Sequence, residues 1–210
     1  MPSFVTDADL LRRDPRVFID LPVAARAVLR LDDGALAGVT LASTTGGFAA
    51  LAAGHVLVIR TTEADAVAAA MAEVVDDHTV VVDRLLTNLA AVSGLTVIAR
   101  TFADHIDAAH RDLLEAVGLK PAGDTSGDLT EAAIVPTGQL AAVEAAGALA
   151  AAHRAAAGAA GDDTSLAERA RQWQRRYRAA LEATRVPIDT DGDGRPDVWR
   201  TPGASRLVRV

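Results

Sequence analysis

A run of aspartates near the end of the sequence has the residue types and spacing of a calcium-binding loop. Residues 189–197 read DTDGDGRPD, so alternate aspartates surround two glycines. Calcium prefers roughly six to eight oxygen ligands, and carboxylates two residues apart around a glycine turn can supply several of them. The candidate metal ligands are therefore Asp189, Asp191, Asp193 and Asp197.

This segment is not a complete EF-hand loop. The EF-hand needs an acidic residue at its last ligand position, and counting from Asp189 places Arg200 there. Asp197 allows a shorter loop, which resembles the thrombospondin-like calcium repeats. A glycine turn whose aspartates bind their own backbone, with no metal, explains the same residues. Both interpretations stay open.

A predicted helix close to this loop is rich in arginine. Residues 164–186 contain six Arg and two Glu, whereas the whole chain has a formal net charge of −7. The arginines form either a solvated face that covers the core with their stems, or a surface that binds acidic partners or passing DNA. The candidate interface residues in this helix are Arg169, Arg171, Arg175, Arg176 and Arg178.

The last five residues alternate in character and form a second part of the candidate interface. Such a segment can add a strand to the sheet of a neighbouring subunit, or it can fray as an ordinary chain terminus. The residues concerned are Arg206, Leu207, Val208, Arg209 and Val210.

The sequence contains no recognisable catalytic motif. It has no Cys, which excludes disulfides, Cys-ligated zinc and a thiol nucleophile. His105 and His110 are five residues apart, whereas the helical zinc motif needs a spacing of four. His110 falls on the apolar stripe of its helix and is expected to be a satisfied or interfacial histidine. We therefore expect a protein that is not an enzyme and has no cofactor, with calcium in the aspartate loop as the alternative left open.

Hydrophobic patterning predicts an α+β protein with an N-terminal β-rich part and a C-terminal helical bundle. Short strands at this spacing are typical of a small antiparallel barrel or sandwich. The predicted divisions are a short helix in residues 1–15, a β-rich domain in 16–101, a helical bundle in 102–186, and an acidic loop with an extended tail in 187–210.

Several local predictions within the β-rich domain can be compared with the structure. Residues 16–21 are expected to form its first strand, and Asp32-Asp33-Gly34 is a hairpin turn signal. Residues 63–73 are ambiguous between helix, from their alanine content, and strand. We favour strand after about residue 68, followed by a turn at Asp76-Asp77.

The helical part is expected to contain three main helices. They cover residues 104–118, a segment from about 137 to 157, and residues 165–185, where Ser165 and Glu168 form a capping box. Trp173 and Tyr177 are the large side chains of the third helix and are expected to lie in its core. No stretch of about 18 residues is apolar enough to cross a bilayer, so we expect no membrane contact.

The last hundred residues resemble the head-to-tail connector, or adaptor, proteins of long-tailed phages and of related prophage or gene-transfer particles. The resemblance rests on a helix ending in LLEAVGL at 113–119, an Ala/Leu helix at 140–157 and an acidic break at 161–163. It continues in a helix of the type ARxWxxRYRxAL at 170–181, which leads into IDTDGDG at 188–194.

This resemblance implies a structural virion protein without catalytic residues. Such adaptors form a ring of about twelve identical subunits under the portal protein, bind tail or stopper proteins, and extend the DNA channel without reading the DNA sequence. The implied location is the neck of the virion, after synthesis in the bacterial cytoplasm. The β-rich segment 16–101 departs from the compact adaptors and would be a barrel-like decoration of the ring. The alternative function is a calcium-binding interaction module that uses the loop from Asp189 to Asp197.

Overall fold

The computed structural model describes residues 3–61, 66–89, 92–123, 129–135, 138–161 and 164–202. Over these residues the chain is α+β, with a closed antiparallel barrel, several helices and a separate two-stranded sheet. It divides into two compact units. The barrel unit comprises Thr6–Ala103, and the helical unit comprises Met1–Val5 together with Asp104–Val210.

Six strands form the barrel, and every neighbouring pair is antiparallel. Their order around the barrel is β1-β2-β5-β4-β3-β6, and β6 returns to β1. Leu36 of β1 pairs with Leu41 on one side and with Val92 on the other, so β1 closes the barrel. The strands are β1 (Arg26–Ala37), β2 (Thr40–Ala42), β3 (Val56–Arg60), β4 (Val67–Asp76), β5 (Thr79–Val82) and β6 (Val92–Thr101).

Alternating side chains of these strands fill the barrel with a continuous apolar core. Leu95, Val97 and Ala99 of β6 are fully buried, and they pack with Leu57 and Ile59 of β3. Removal of such side chains from water is the main favourable term in folding. The expected antiparallel barrel or sandwich is thus confirmed as a barrel.

The predicted first strand at residues 16–21 is wrong. Two helices precede the barrel, α1 (Asp7–Arg13) and α2 (Val17–Asp20). The N–H groups of Asp20 and Leu21 donate to carbonyls four residues earlier, which is the helical pattern. A short apolar run cannot be assigned to strand or helix from periodicity alone, and here Arg16 also pairs with Asp20 at helical spacing.

The turn predicted at Asp32-Asp33-Gly34 is also wrong, because β1 continues through it to Ala37. The register between β1 and β6 shifts on both sides of Gly34, and the chain reverses at Gly38-Val39. Strand β4 begins at Val67 and is followed by a turn after Asp76, which confirms the choice of strand for that region.

The helical unit contains three longer helices and a short β-hairpin. The helices are α3 (Ala103–Val117), α4 (Gly138–Ala159) and α5 (Thr164–Ala183), and a 3-10 turn covers Glu131–Ala133. Strands β7 (Val186–Ile188) and β8 (Val198–Arg200) are antiparallel. Residues 187–210 were expected to form only a loop and a tail, so the hairpin was not predicted. A three-residue strand is too short to show a periodic pattern in the sequence.

Helices α4 and α5 differ sharply in burial although they pack against each other. All eight residues from Val143 to Ala150 are buried, whereas no residue of α5 is. Trp173 and Tyr177 are half-buried rather than core residues. The alanines that dominate α4 are too short to enclose a large ring from all sides. No helix in the described part of the chain has the length and apolar character to cross a bilayer.

Candidate functional sites

The aspartate loop is the turn of the β7–β8 hairpin. Carboxylate oxygens of Asp189, Asp191 and Asp197 all lie within 4.8 Å of one another. Asp193 is not part of this group, although its position in the sequence fits the same motif. The structure therefore brings together three of the four predicted ligands, and they form an oxygen-only set of the kind that hard cations prefer.

Backbone amides of the loop shape this cluster. The two carboxylate oxygens of Asp189 accept the N–H groups of Gly192 and Gly194, each at 2.7 Å. Both glycines have φ of +82°, a conformation that other residues adopt at a cost. These hydrogen bonds, with that from Gly194 as the largest cause, hold the pKa of Asp189 below its usual value. Asp189 is therefore ionised at neutral pH.

Asp197 closes the loop from its other end. Its Oδ2 atom accepts hydrogen bonds from the backbone N–H of Thr190, at 2.8 Å, and from the Thr190 hydroxyl, at 2.7 Å. These bonds lower the pKa of Asp197 in the same way, with the backbone N–H of Thr190 as the largest cause. The loop thus combines the self-capped turn and the carboxylate cluster that the sequence left as alternatives.

The predicted arginine surface lies on the outer face of α5. Leu166, Ala170, Trp173, Tyr177 and Leu181 form its half-buried stripe. The guanidinium of Arg176 lies 4.7 Å from the centre of the Trp173 ring, which is a cation–π geometry. All five of the predicted interface residues in this helix are exposed: Arg169, Arg171, Arg175, Arg176 and Arg178.

The rest of the predicted interface cannot be placed. Arg206, Leu207, Val208, Arg209 and Val210 lie outside the residues that the structure describes.

A buried polar cluster in the helical unit was only partly foreseen. His110 is satisfied at one of its two ring nitrogens: its Nδ1 atom lies 2.9 Å from Oε2 of Glu144 and makes a hydrogen bond, whereas its buried Nε2 atom makes none. Its Nε2 atom lies 3.1 Å from Oε1 of Glu131. Sequence reasoning missed both glutamates, yet Glu144 is the only carboxylate of the alanine-rich helix α4, which marks it as a residue in need of a partner.

A serine-, threonine- and glycine-rich loop in the barrel unit has its donors occupied by the chain's own carboxylates. Asp33 accepts the backbone N–H and the hydroxyl of Thr45, at 2.8 and 2.9 Å. Asp77 accepts the N–H groups of Gly47 and Ala49, at 3.0 and 3.2 Å. These donors hold the barrel loop together and are not directed at an external anion.

Comparisons with models of protein families, with curated proteins and with solved structures each found no match to this chain. Functional assignment therefore depends on the sequence patterns and on the geometry of the acidic loop and the arginine helix. Of these two, the arginine helix presents the larger surface, and the loop presents the more specific chemistry.

Proposed function

We propose that this chain is a structural protein of a phage or phage-like virion, a head-to-tail adaptor that forms a ring under the portal and extends the DNA channel. The resemblance of its last hundred residues to such adaptors supports this function. The structural observation that carries it is helix α5, which spans 20 residues without burying one of them and presents arginines outward.

An α-helix on the surface of a monomer normally buries one apolar stripe. In α5 even the stripe, with Trp173 and Tyr177, stays half-exposed. Tryptophan, tyrosine and arginine are the residues most enriched at the energetic centres of protein interfaces. A neighbouring subunit that covers this helix would bury the two rings, and an acidic surface on it would complement the arginines.

The small residues of the helical unit support the finer architecture of an adaptor. We propose that α3, α4 and α5 form the compact three-helix bundle and that residues 206–210 extend from it to a neighbour. Gly147 of α4 lies against Ala109 of α3 and Tyr177 of α5, a close approach that helps helices to assemble. In this proposal the barrel decorates the ring, and the partners are about eleven further copies, the portal, and tail or stopper proteins. DNA passes through the ring without sequence recognition.

The test is assembly, measured by light scattering after size exclusion and by negative-stain microscopy, with and without a portal protein. We expect rings, or co-elution with the portal, for the wild type. The double variant Arg175→Glu/Arg178→Glu should lose both. The matched control, Arg13→Glu/Arg26→Glu, reverses two exposed arginines of the barrel unit and should retain them. A protein that stays monomeric and shows no affinity for a portal contradicts the proposal.

The second candidate function is a calcium-binding interaction module, and the carboxylate cluster of Asp189, Asp191 and Asp197 is the observation that favours it. Calorimetric titration with Ca²⁺ is the test, with Trp199 fluorescence in a Trp173→Phe background as a second signal close to the loop. Asp191→Asn should abolish the heat of binding. Asp193→Asn, in the same loop but outside the cluster, should retain it. No heat with the wild type removes this candidate.

A further inference from the structure

The imidazole of His110 is enclosed between carboxylates from two different elements. The His110 side chain is 1% exposed, and those of Glu144 and Glu131 are 0% and 8% exposed. Glu144 belongs to α4 and faces Nδ1, whereas Glu131 belongs to the 3-10 turn and faces Nε2. Each ring nitrogen is therefore close to a different carboxylate, with hydrogen-bond geometry at Nδ1 and at ion-pair distance without a hydrogen bond at Nε2.

This arrangement fits the imidazolium and not the neutral ring. A neutral imidazole has one N–H and one lone pair, so it can donate to only one of the two glutamates. The lone pair of the other nitrogen would then face a carboxylate oxygen about 3 Å away, which is repulsive because both atoms are acceptors. The hydrogen bond to Glu144 is the largest cause that raises the pKa of His110, and burial opposes it. The geometry and the electrostatics both favour the charged ring.

Each carboxylate connects the ring to a further part of the unit. Both oxygens of Glu144 accept the N–H of Phe4, at 3.1 and 3.2 Å. Glu131 donates its own N–H to the carbonyl of Lys120, at 2.8 Å. Residues 129–135, which contain Glu131, are also hydrogen-bonded to the hairpin, because the N–H of Val135 donates to the carbonyl of Pro187 on β7.

We propose that His110 is a proton-operated latch that fastens residues 129–135, and with them the β7–β8 hairpin, to α3. The neutral ring keeps its remaining proton on Nδ1, which makes the shorter contact to the fully buried Glu144. The contact with Glu131 is then lost, and Glu131 becomes a buried carboxylate without a positive partner. Such a charge is costly, so the segment moves outward to reach water.

Glu144 and Glu131 are the two charged groups that shift the pKa of His110. Phe4 packs against it with an aromatic side chain, 5.3 Å between ring centres. Tyr177 of α5 lies beside Ala109, and burial raises its pKa to about 12, so it is neutral in the range that matters. Asp107 and Arg111 of α3 itself are exposed to solvent.

The direction of the pH effect follows from the raised pKa of His110. The latch is fully closed below the ordinary histidine pKa of about 6.5, and it opens as the pH rises through the higher value of the folded protein. The segment 129–135 is therefore expected to loosen as the pH rises above the ordinary histidine pKa of about 6.5.

The test is nuclear magnetic resonance of the ¹⁵N-labelled full chain between about pH 6 and pH 10. His110→Gln identifies the ring signals of His110, or through-bond correlations to its backbone do so if that variant does not fold. We expect both ring nitrogens to be protonated at about pH 6, below the ordinary histidine pKa. The hydrogen-exchange protection factors of the Glu131 and Val135 amides should fall at least tenfold as His110 titrates. Glu131→Gln should remove that fall, whereas His105→Gln, on the same helix, should retain it.

Three results would each overturn the latch. One is a neutral His110 ring at about pH 6, with the proton on Glu131 instead. Another is titration at or below the ordinary histidine value. The last is constant protection of Glu131 and Val135 while His110 loses its proton. The wild-type titration alone gives these answers, so the test does not depend on a variant that folds.

Discussion

Gly147 of α4 lies so close to Tyr177 of α5 that a Cβ atom at position 147 would be 3.0 Å from Cε2 of the tyrosine. The same atom would be 3.0 Å from the Cβ of Ala109 on α3. Carbon atoms without a bond between them normally stay about 3.5 Å or more apart. Because Ala109 has no side-chain torsion with which to withdraw, a Cβ at position 147 overpacks this contact unless the helices shift by a few tenths of an ångström.

We predict that Gly147→Ala lowers the free energy of unfolding. Overpacking costs about 1–3 kcal/mol, and the gain in helix propensity returns about 1 kcal/mol, so a net loss of the order of 1 kcal/mol is expected. Gly158→Ala is the matched control on the same helix, since a Cβ there meets nothing within 4 Å. It should stabilise by up to about 1 kcal/mol. Urea unfolding measures both, and equal effects would contradict the close approach.

A buried aspartate should make the barrel unit less stable as the pH rises. Asp7 accepts the N–H of Phe102 at 2.8 Å, and burial is the largest cause that raises its pKa. The folded state thus prefers the protonated form, and stability falls as the pH increases from about 3.8 through the raised value. Asp7→Asn keeps an acceptor oxygen and carries no charge.

We therefore expect Asp7→Asn to melt at the same temperature as the wild type, or higher, at neutral pH. Any advantage of the variant should disappear below about pH 3.8, where Asp7 is protonated in both states. Thermal melts across this range provide the measurement. If Asp7→Asn instead melts below the wild type at neutral pH and this deficit disappears in acid, the buried charge of Asp7 is favourable.

Asp33 should give the opposite pH dependence, because its contribution to the stability of the barrel unit is lost on acidification. It accepts hydrogen bonds from Ser43, Thr44 and Thr45, and the bond from Thr44 is the largest cause that holds its pKa well below the usual range. Its contribution is therefore present above the ordinary aspartate value and is lost as the pH falls through the lowered one.

Asp33→Asn should lower the melting temperature at neutral pH, and the difference from the wild type should shrink only in strong acid. Asp32→Asn is the neighbouring control, because Asp32 accepts hydrogen bonds from Thr96 and Arg30, whereas the loop at residues 43–45 donates to Asp33. If the two variants melt alike at neutral pH, the loop at residues 43–45 does not depend on Asp33.

The parts of the fold that sequence predicted are those with long periodic patterns. The stripe from Leu166 to Leu181 located α5, and alternating apolar residues indicated the barrel strands. The turn signal at Asp32-Asp33-Gly34 was misleading because the Asp33 carboxylate accepts hydrogen bonds from the loop at residues 43–45. That loop lies next to Asp33 only after folding. A tertiary contact of this kind outweighs a local turn preference.

Of the candidate sites, the acidic loop could be predicted from the sequence and the buried His110 cluster could not. The loop from Asp189 to Asp197 is local in sequence, so its ligand types and spacing could be found without a structure. The cluster of His110, Glu131 and Glu144 joins residues that are 21 and 34 positions from the histidine. No local periodicity connects them, and only the single carboxylate among the alanines of α4 indicated that a partner was needed.

The N–H of Phe4 binds Glu144, a residue 140 positions further along the chain, and this distance has a consequence for synthesis. At a translation rate of about 5–20 residues per second, Phe4 is made roughly 7 to 28 seconds before its acceptor exists. Residues 6–103, which form the barrel unit, are completed within that interval. The barrel can therefore fold first on the ribosome, and the helical unit binds Phe4, which is made before the barrel, only after Glu144 has been made.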